Sequence, residues 1–359
     1  MAPRFHDLKV ASIERQTPEA VAIAFEVPAD FAEAFAFTPG QYLTLSAEID
    51  GQEARRSYSI CSAPGDPFLR VGVKKVADGR FSSFVNDVLS VGDTIRVMPP
   101  QGRFTALKGE RHDYLLFAAG SGITPMLSIA RTVLAHEPDS TITLVYGNRS
   151  TETIMFLEEL NDLKDRYMGR FTLIHLLSRE AQDVALFNGR INAGRVRELA
   201  GGGLIEPAEM DGVFLCGPGE MIEAVSGVLQ EMGVERDRIR FERFTPSGEA
   251  PAPRKASQAA REAVEEGVAV EVVVDGVRRS FSMQDADNTV LDAAHKAGID
   301  LPYSCAGGMC CTCRCRVVEG GSEMAVNFSL EPWEVEAGFT LACQTRPTSQ
   351  KLVLDFDAA

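Results

Sequence analysis

The sequence has no long hydrophobic run. Its most apolar uncharged stretch, near Tyr114–Ala119, falls far short of the roughly 18 residues a membrane-spanning helix needs, so no membrane partner is expected. The segment Met1–Val10 lacks the apolar core of a secretion signal, and the expected location is cytoplasmic. Positive charge is scarce: 36 Lys and Arg stand against 51 Asp and Glu, a formal net charge of −15. A surface this acidic argues against a nucleic-acid partner or an anionic membrane, while leaving room for a basic protein partner. Internal repeats are absent. So is any Glu-x-x-His pair of the kind that holds di-iron centres in helical bundles. A length of 359 residues, 45% hydrophobic and 24% charged, is ordinary for two or three globular domains.

Cysteine is what the sequence does have. Cys61 and Cys216 stand alone, but Cys305, Cys310, Cys311, Cys313 and Cys315 fall within eleven residues, and Cys343 follows. Without a secretion signal, such a cluster reads as metal or redox chemistry and not as a disulfide framework.

The pattern along the chain divides it into four parts. Residues 1–108 carry short β-rich segments, Val21–Val27, Tyr42–Ser46 and Leu69–Lys74, separated by Gly and Pro turns, and this spacing predicts a β-barrel. Residues 109–245 alternate strands and helices. The strands fall near Tyr114–Ala119, Thr141–Tyr146, Phe171–Leu176 and Val213–Cys216, which predicts a doubly wound parallel α/β domain. Residues 246–267 have the Pro, Ala, Ser and Glu composition of a linker. Residues 268–359 open with a hairpin at Asp275-Gly276, followed by a helix near Thr289–Ala297.

The spacing C-x4-C-x2-C, with a fourth cysteine after 29 more residues, is the plant-type [2Fe–2S] pattern. It makes Cys305, Cys310, Cys313 and Cys343 the metal ligands. A zinc site needs paired C-x2-C knuckles, and only one such pair is present. Gly307 and Gly308 let the backbone curl so that its N–H groups face the sulfides. Cys311 and Cys315 fit no ligand position and read as small buried fillers. In the α/β domain, Gly120-Ser-Gly-Ile-Thr-Pro125 follows an apolar strand, with Thr124 placed to cap the helix and Pro125 in its first turn. Alone it could be a structural βα turn. The companion Cys216-Gly217-Pro218 also lies at a strand's carboxyl end, where such sheets bind nucleotides. The second strand ends without an acid, so Arg149 and Ser150, with Arg179 after the third strand, suit a 2′-phosphate and predict NADPH. A plain surface arginine is the alternative for Arg149. In the barrel, Arg56-Ser57-Tyr58-Ser59 and Gly79-Arg80-Phe81-Ser82 suit a flavin, although Tyr58 alone could be an ordinary strand aromatic.

The combination of R-x-Y-S, GSGITP and CGP resembles the ferredoxin–NADP reductase family. With the C-terminal cysteine module it is similar to the three-module reductases of bacterial oxygenases. Phe37–Gln41, Gly189–Ile191, Glu242-Arg243-Phe244 and Asn327–Pro332 resemble, within that family, reductase subunits of phenylacetyl-CoA epoxidases, which serve a di-iron monooxygenase of phenylacetate breakdown. The resemblance implies a multidomain fold: a β-barrel flavin domain, an α/β doubly wound nucleotide-binding domain and an α+β β-grasp ferredoxin domain. It implies that Arg56 meets the FAD pyrophosphate, Tyr58 stacks on the isoalloxazine and Ser59 lies near its N5. It also implies that Ser57, Val73, Lys74 and Gly79–Ser82 line the cofactor sites, and that Gly120, Ser121, Gly122, Thr124 and Pro125 hold the NADPH pyrophosphate. Cys216, Gly217 and Pro218 fall near the nicotinamide, Phe244 covers the flavin, and Ser59, Cys216 and Glu242 form the catalytic set. Cys311 departs from the Gly or Ala usual in the family.

The expected activity is transfer of electrons from NADPH through FAD and the [2Fe–2S] cluster to di-iron oxygenase subunits in a transient complex. The rivals are a reductase of the same architecture serving another oxygenase, such as a steroid hydroxylase, and a non-enzymatic iron–sulfur carrier. The last module holds 13 Asp and Glu against 7 Lys and Arg. Glu331, Glu334 and Glu336 are therefore expected either to steer a basic partner or to serve only as solvated surface.

Overall fold

In a computed structural model, residues 5–107, 109, 111–244, 254–265, 267–286 and 288–358 are described. The chain divides into two compact units, the first holding the two N-terminal sheets and the second holding the C-terminal ones.

The first sheet contains β1 (His6–Thr17), β2 (Ala20–Glu26), β3 (Tyr42–Ile49), β4 (Gln52–Ser59), β5 (Leu69–Lys74) and β6 (Thr94–Val97), in the order β4-β3-β6-β1-β2-β5. Ile60, just past β4, pairs with Val71 of β5, and the Cys61 N–H donates to the Arg70 carbonyl at 2.9 Å, which closes the sheet into a barrel. Alternation along the strands sends Ile23, Phe25, Leu43, Leu45, Val71 and Val97 inward. Helix α1 (Arg80–Asp87) adds Phe81 and Val85 to this core. Fully burying each such side chain contributes roughly 1.5–3 kcal/mol.

The second sheet is entirely parallel. It comprises β7 (Asp113–Ala119), β8 (Thr141–Asn148), β9 (Phe171–Leu177), β10 (Gly212–Gly217) and β11 (Ile239–Arg243), in the order β11-β10-β7-β8-β9. Between them run α2 (Ile123–His136), α3 (Leu157–Arg166), α4 (Ala193–Gly201) and α5 (Gly219–Glu231). Strand β7 is apolar at every central position because both its faces are covered. Tyr114, Leu116 and Ala118 pack with α2, while Leu115 and Phe117 pack with α4 and α5. Strand β11 is a fifth strand beyond the four expected. Ile239 is buried and the other four residues half-buried, and two arginines and a glutamate mask the strand pattern. The barrel joins this sheet through a bidentate Arg131–Asp66 pair (2.7 and 3.0 Å) and a Ser128 Oγ bond to the Ser62 carbonyl (2.7 Å).

The second unit contains α6 (Gln258–Glu265), β12 (Val268–Val274), β13 (Val277–Met283), α7 (Val290–Lys296), β14 (Arg314–Glu319), β15 (Ser322–Met324), α8 (Pro332–Glu336), β16 (Phe339–Leu341), β17 (Thr345–Pro347) and β18 (Lys351–Asp355). The main sheet, β13-β12-β18-β14-β16, is mixed: β12 and β18 are parallel and the other pairs antiparallel, the β-grasp arrangement. Asp275 and Gly276 both take positive φ, as a tight hairpin turn requires. Thr289 caps α7 reciprocally with Asp292. Helix α6 lies inside the segment expected to be a linker and buries Ala260, Ala263 and Val264. Its apolar stripe is made of such small residues that composition does not reveal it. Residues 246–253 and 266 of the expected linker lie outside the described residues. Among the described residues, no helix is long and apolar enough to cross a membrane.

Candidate functional site

At the carboxyl ends of β7 and β10 two loops touch. Gly120 takes a φ of +53°, and a Cβ on Gly122 would lie 2.1 Å from the Cys216 carbonyl oxygen, so only glycine allows this approach. The Tyr146 hydroxyl donates to the Gly120 carbonyl at 2.9 Å and buttresses the turn from β8. This role was invisible in the sequence, because Tyr146 reads simply as strand core. Helix α2 starts at Ile123, with Gly122 in the cap position, two residues earlier than expected. Thr124 is therefore not its cap: the hydroxyl donates back to the Ser121 carbonyl at 3.0 Å, and both Thr124 and Pro125 are buried. The first-turn N–H groups of such a helix start are the ones that could meet an anion.

Beside this turn, Ser59 Oγ donates to Glu242 Oε2 at 2.8 Å, a contact spanning 183 residues of sequence. Glu242 pairs in register with Cys216 across β10 and β11. Burial of the Glu242 carboxyl pushes it up to about 7, against the opposing effect of the Ser59 hydrogen bond. Burial, and then the Glu242 charge, push the Cys216 thiol well above its usual value. The thiol is thus protonated at neutral pH and the carboxyl sits near its midpoint. The set can hold a proton at Glu242 and deliver one at Ser59 Oγ. The Phe244 N–H donates to the Gly217 carbonyl at 3.3 Å, and its half-buried ring packs against the core between α2 and the sheet. Gly217 is buried, while Pro218 is exposed at the start of α5.

Lys74 and Arg149 lie close enough for their charges to interact. The Arg179 N–H donates to the Arg149 carbonyl at 2.7 Å, which brings the ends of β8 and β9 together, and both side chains are exposed. Lys74 Nζ lies 3.8 Å from where a Gly120 Cβ would stand. Burial, and then the Arg149 charge, hold Lys74 below the usual lysine range, against the opposing charge of Glu19. Ser150 is half-buried, and its N–H donates to Thr153 Oγ1 at 3.1 Å.

Several barrel residues serve differently from what the sequence suggested. Val73 and Phe81 are core side chains, so they can offer a ligand only their backbone. Ser82 is buried, accepting from the Val76 N–H and donating to the Gly79 carbonyl. The Arg80 guanidinium turns to the carbonyls of Ile49 and Gln52. Gly79 caps α1, where a Cβ would lie 2.4 Å from Ser82 Oγ. On β4, Arg56 is exposed, Ser57 and Tyr58 are half-buried, and the Tyr58 ring lies 5.9 Å from Phe81. These positions leave Arg56 and Tyr58 as the side chains able to meet a flavin.

In the second unit the thiols stand in twos, Cys305 with Cys310 and Cys313 with Cys343. Backbone N–H groups of Gly307 and Met309 donate to Cys305 Sγ at 3.3 and 3.5 Å, and that of Cys305 to Cys310 Sγ at 3.5 Å. The Cys310 thiol, together with those N–H groups, holds Cys305 down at about 5, while neighbouring thiols push Cys310 and Cys313 up. Among the described residues, no three or more His, Cys, Asp or Glu are gathered for a single ion. Two pairs of thiols, cradled by N–H donors, fit two irons sharing four thiolates. Gly308 takes a φ of +77°, with Gln344 Cγ only 3.1 Å from its absent Cβ. Gln344 itself, missed in the sequence, donates to the Ala306 carbonyl (3.0 Å) and to Cys343 Sγ (3.6 Å). Cys315 is fully buried, but Cys311 is half-exposed at a φ of +57°, not the buried filler expected. Glu334 is also not solvated surface: it is 0% exposed and pairs with Arg314 at 2.9 Å.

Comparison with known proteins agrees with this layout. Family models for an oxidoreductase FAD-binding domain (residues 7–106), an oxidoreductase NAD-binding domain (116–227) and a 2Fe-2S iron-sulfur cluster binding domain (272–348) match in order. The chain is 43% identical to a subunit of the 1,2-phenylacetyl-CoA epoxidase from Escherichia coli K12, over 99% of this chain and 98% of that protein. It is 36% identical to the ferredoxin reductase component of 3-ketosteroid-9-alpha-monooxygenase from Rhodococcus rhodochrous, over 97% and 96%. The crystal structure of phthalate dioxygenase reductase shares the fold, with a TM-score of 0.61 at 24% identity and 98% coverage of both chains. A barrel, a parallel sheet and a β-grasp module in this order, with relatives matched end to end, show that the chain belongs to the family of oxygenase reductase subunits that join FAD-binding, NAD-binding and [2Fe–2S] domains.

Proposed function

We propose that this chain passes electrons from NADPH to a di-iron oxygenase that epoxidises phenylacetyl-CoA, meeting it in a transient complex. The observation that carries the electron-transfer reading is the Ser59–Glu242–Cys216 set beside the Gly120–Gly122 turn. The end-to-end 43% identity to a protein of such an epoxidase supports the partner. Arg56 and Tyr58 would hold FAD, while the Gly120 turn and Lys74 would hold the nucleotide pyrophosphate. Arg149 and Arg179 would take the 2′-phosphate, and Cys305, Cys310, Cys313 and Cys343 the cluster. When bound, FAD supplies the change from two-electron to one-electron chemistry and the cluster a one-electron outlet. The chain's own residues position these groups. Cys216, uncharged, offers the nicotinamide an apolar neighbour, and Glu242 keeps a proton available at Ser59 Oγ. The half-buried Phe244 ring helps exclude water.

A second reading, the reductase of a steroid hydroxylase, is favoured by the 36% identity to the Rhodococcus protein. Purified epoxidase oxygenase subunits and 3-ketosteroid-9-alpha-monooxygenase oxygenase, each supplied with NADPH and this chain, separate the two. Oxygen-dependent loss of phenylacetyl-CoA that requires the chain is the expected result. Turnover of the steroid alone would replace this proposal with the second reading.

A further inference from the structure

Helix α8 carries a carboxylate with no solvent exposure. Glu334 accepts from Arg314 Nη2 at 2.9 Å, and the guanidinium, only 12% exposed, lies 3.5 Å over the Phe339 ring. Arg314 directly follows Cys313, and its backbone pairs with Leu341, two residues before Cys343. The pair therefore ties α8 to the strand pair that carries Cys313 and leads to Cys343. A second tie runs from the segment before α8: the Phe328 N–H and Ser329 Oγ both donate to the Gly308 carbonyl, at 3.2 Å each. A buried ion pair is seldom the most stable filling for such a space, since hydrophobic residues of the same volume often do better. Its charges, however, lie next to a redox centre whose potential responds to net charge.

We propose that Glu334 is a positioning residue that sets the reduction potential of the bound cluster by cancelling the charge of Arg314. Uncompensated, the guanidinium would favour the more negative, reduced cluster. A buried Glu334 without Arg314 would disfavour it. At an effective dielectric near 20, one unit charge about 10 Å away changes the reduced-to-oxidised ratio about tenfold. This inference rests on the four cysteines as ligands.

The test is a potentiometric titration of the full chain carrying FAD and cluster, followed by the paramagnetic signal of the reduced cluster. Glu334→Gln should raise the midpoint and Arg314→Met should lower it, each by about a tenfold change in ratio at fixed potential. The double variant should return to the wild-type value. Unmoved midpoints, or shifts of one sign in both single variants, overturn the proposal. If a single variant loses its cluster, recovery in the double variant still supports it, because the unpaired charge was the fault. Loss in the double variant as well overturns it, marking the pair as packing. A wild-type chain that takes up no cluster would instead refute the ligand assignment.

Discussion

Three of the thiols proposed to hold the cluster, Cys305, Cys310 and Cys313, lie within nine residues of one loop, whereas Ser59, Cys216 and Glu242 come from a barrel strand and two strands of a parallel sheet. The loop writes its chemistry as a spacing, and its backbone N–H groups supply the rest. The strand-end set has no local pattern. It exists only because β10 and β11 run in register and the barrel packs on the same sheet. One site is protected by local geometry and the other by domain packing, so they should fail differently.

The largest effect should come from the loop. Cys313→Ser is expected to abolish or strongly perturb the cluster's visible and paramagnetic spectra while flavin stays bound in full, and an unchanged paramagnetic signal would refute the ligand assignment. In the strand-end set, Glu242→Gln should lower NADPH-to-ferricyanide turnover by about 10²-fold or more while cluster spectra stay unchanged. The same residue makes a pH prediction. Its folded pKa is raised from 4.5 to about 7, so the proton's stabilising contribution is full below about 4.5 and is lost as pH rises through 7. Glu242→Gln lacks this contribution. Denaturant titrations between pH 4.5 and 7.5 should show its stability changing less than the wild type's, by up to about 3 kcal/mol. A parallel pH dependence in both proteins would mean that Glu242 titrates normally. Smallest is Arg149→Ala, expected to reduce the NADPH-over-NADH ratio of kcat/KM by about 10- to 150-fold, since a charge-assisted contact is worth roughly 1.5–3 kcal/mol. An equal fall for both nucleotides would remove Arg149 from the 2′-phosphate site.

The same contrast explains what the sequence made legible. The cysteine spacing, the glycine turn and the Asp275-Gly276 hairpin are local patterns, and the structure forms the turn and the hairpin and sets the Cys305 thiol against backbone N–H groups. The Ser59–Glu242 bond spans 183 residues, and resemblance to known reductases marked both residues without showing that they touch. The cap was misplaced by two residues, at Thr124 instead of Gly122, because Gly120–Gly122 forms its own tight turn ahead of α2. Glu334 was read with Glu331 and Glu336 as one acidic face. Only the fold brings Arg314, twenty residues earlier, beneath it, leaving Glu336 exposed and Glu331 half-buried at the helix start.

Trp333, the chain's single tryptophan, stands 59% exposed on α8, next to fully buried Glu334. Indole emission from this protein therefore has one address. It reads the turn of helix that carries Glu334. The chain carries a built-in optical probe of one module, with no label to attach.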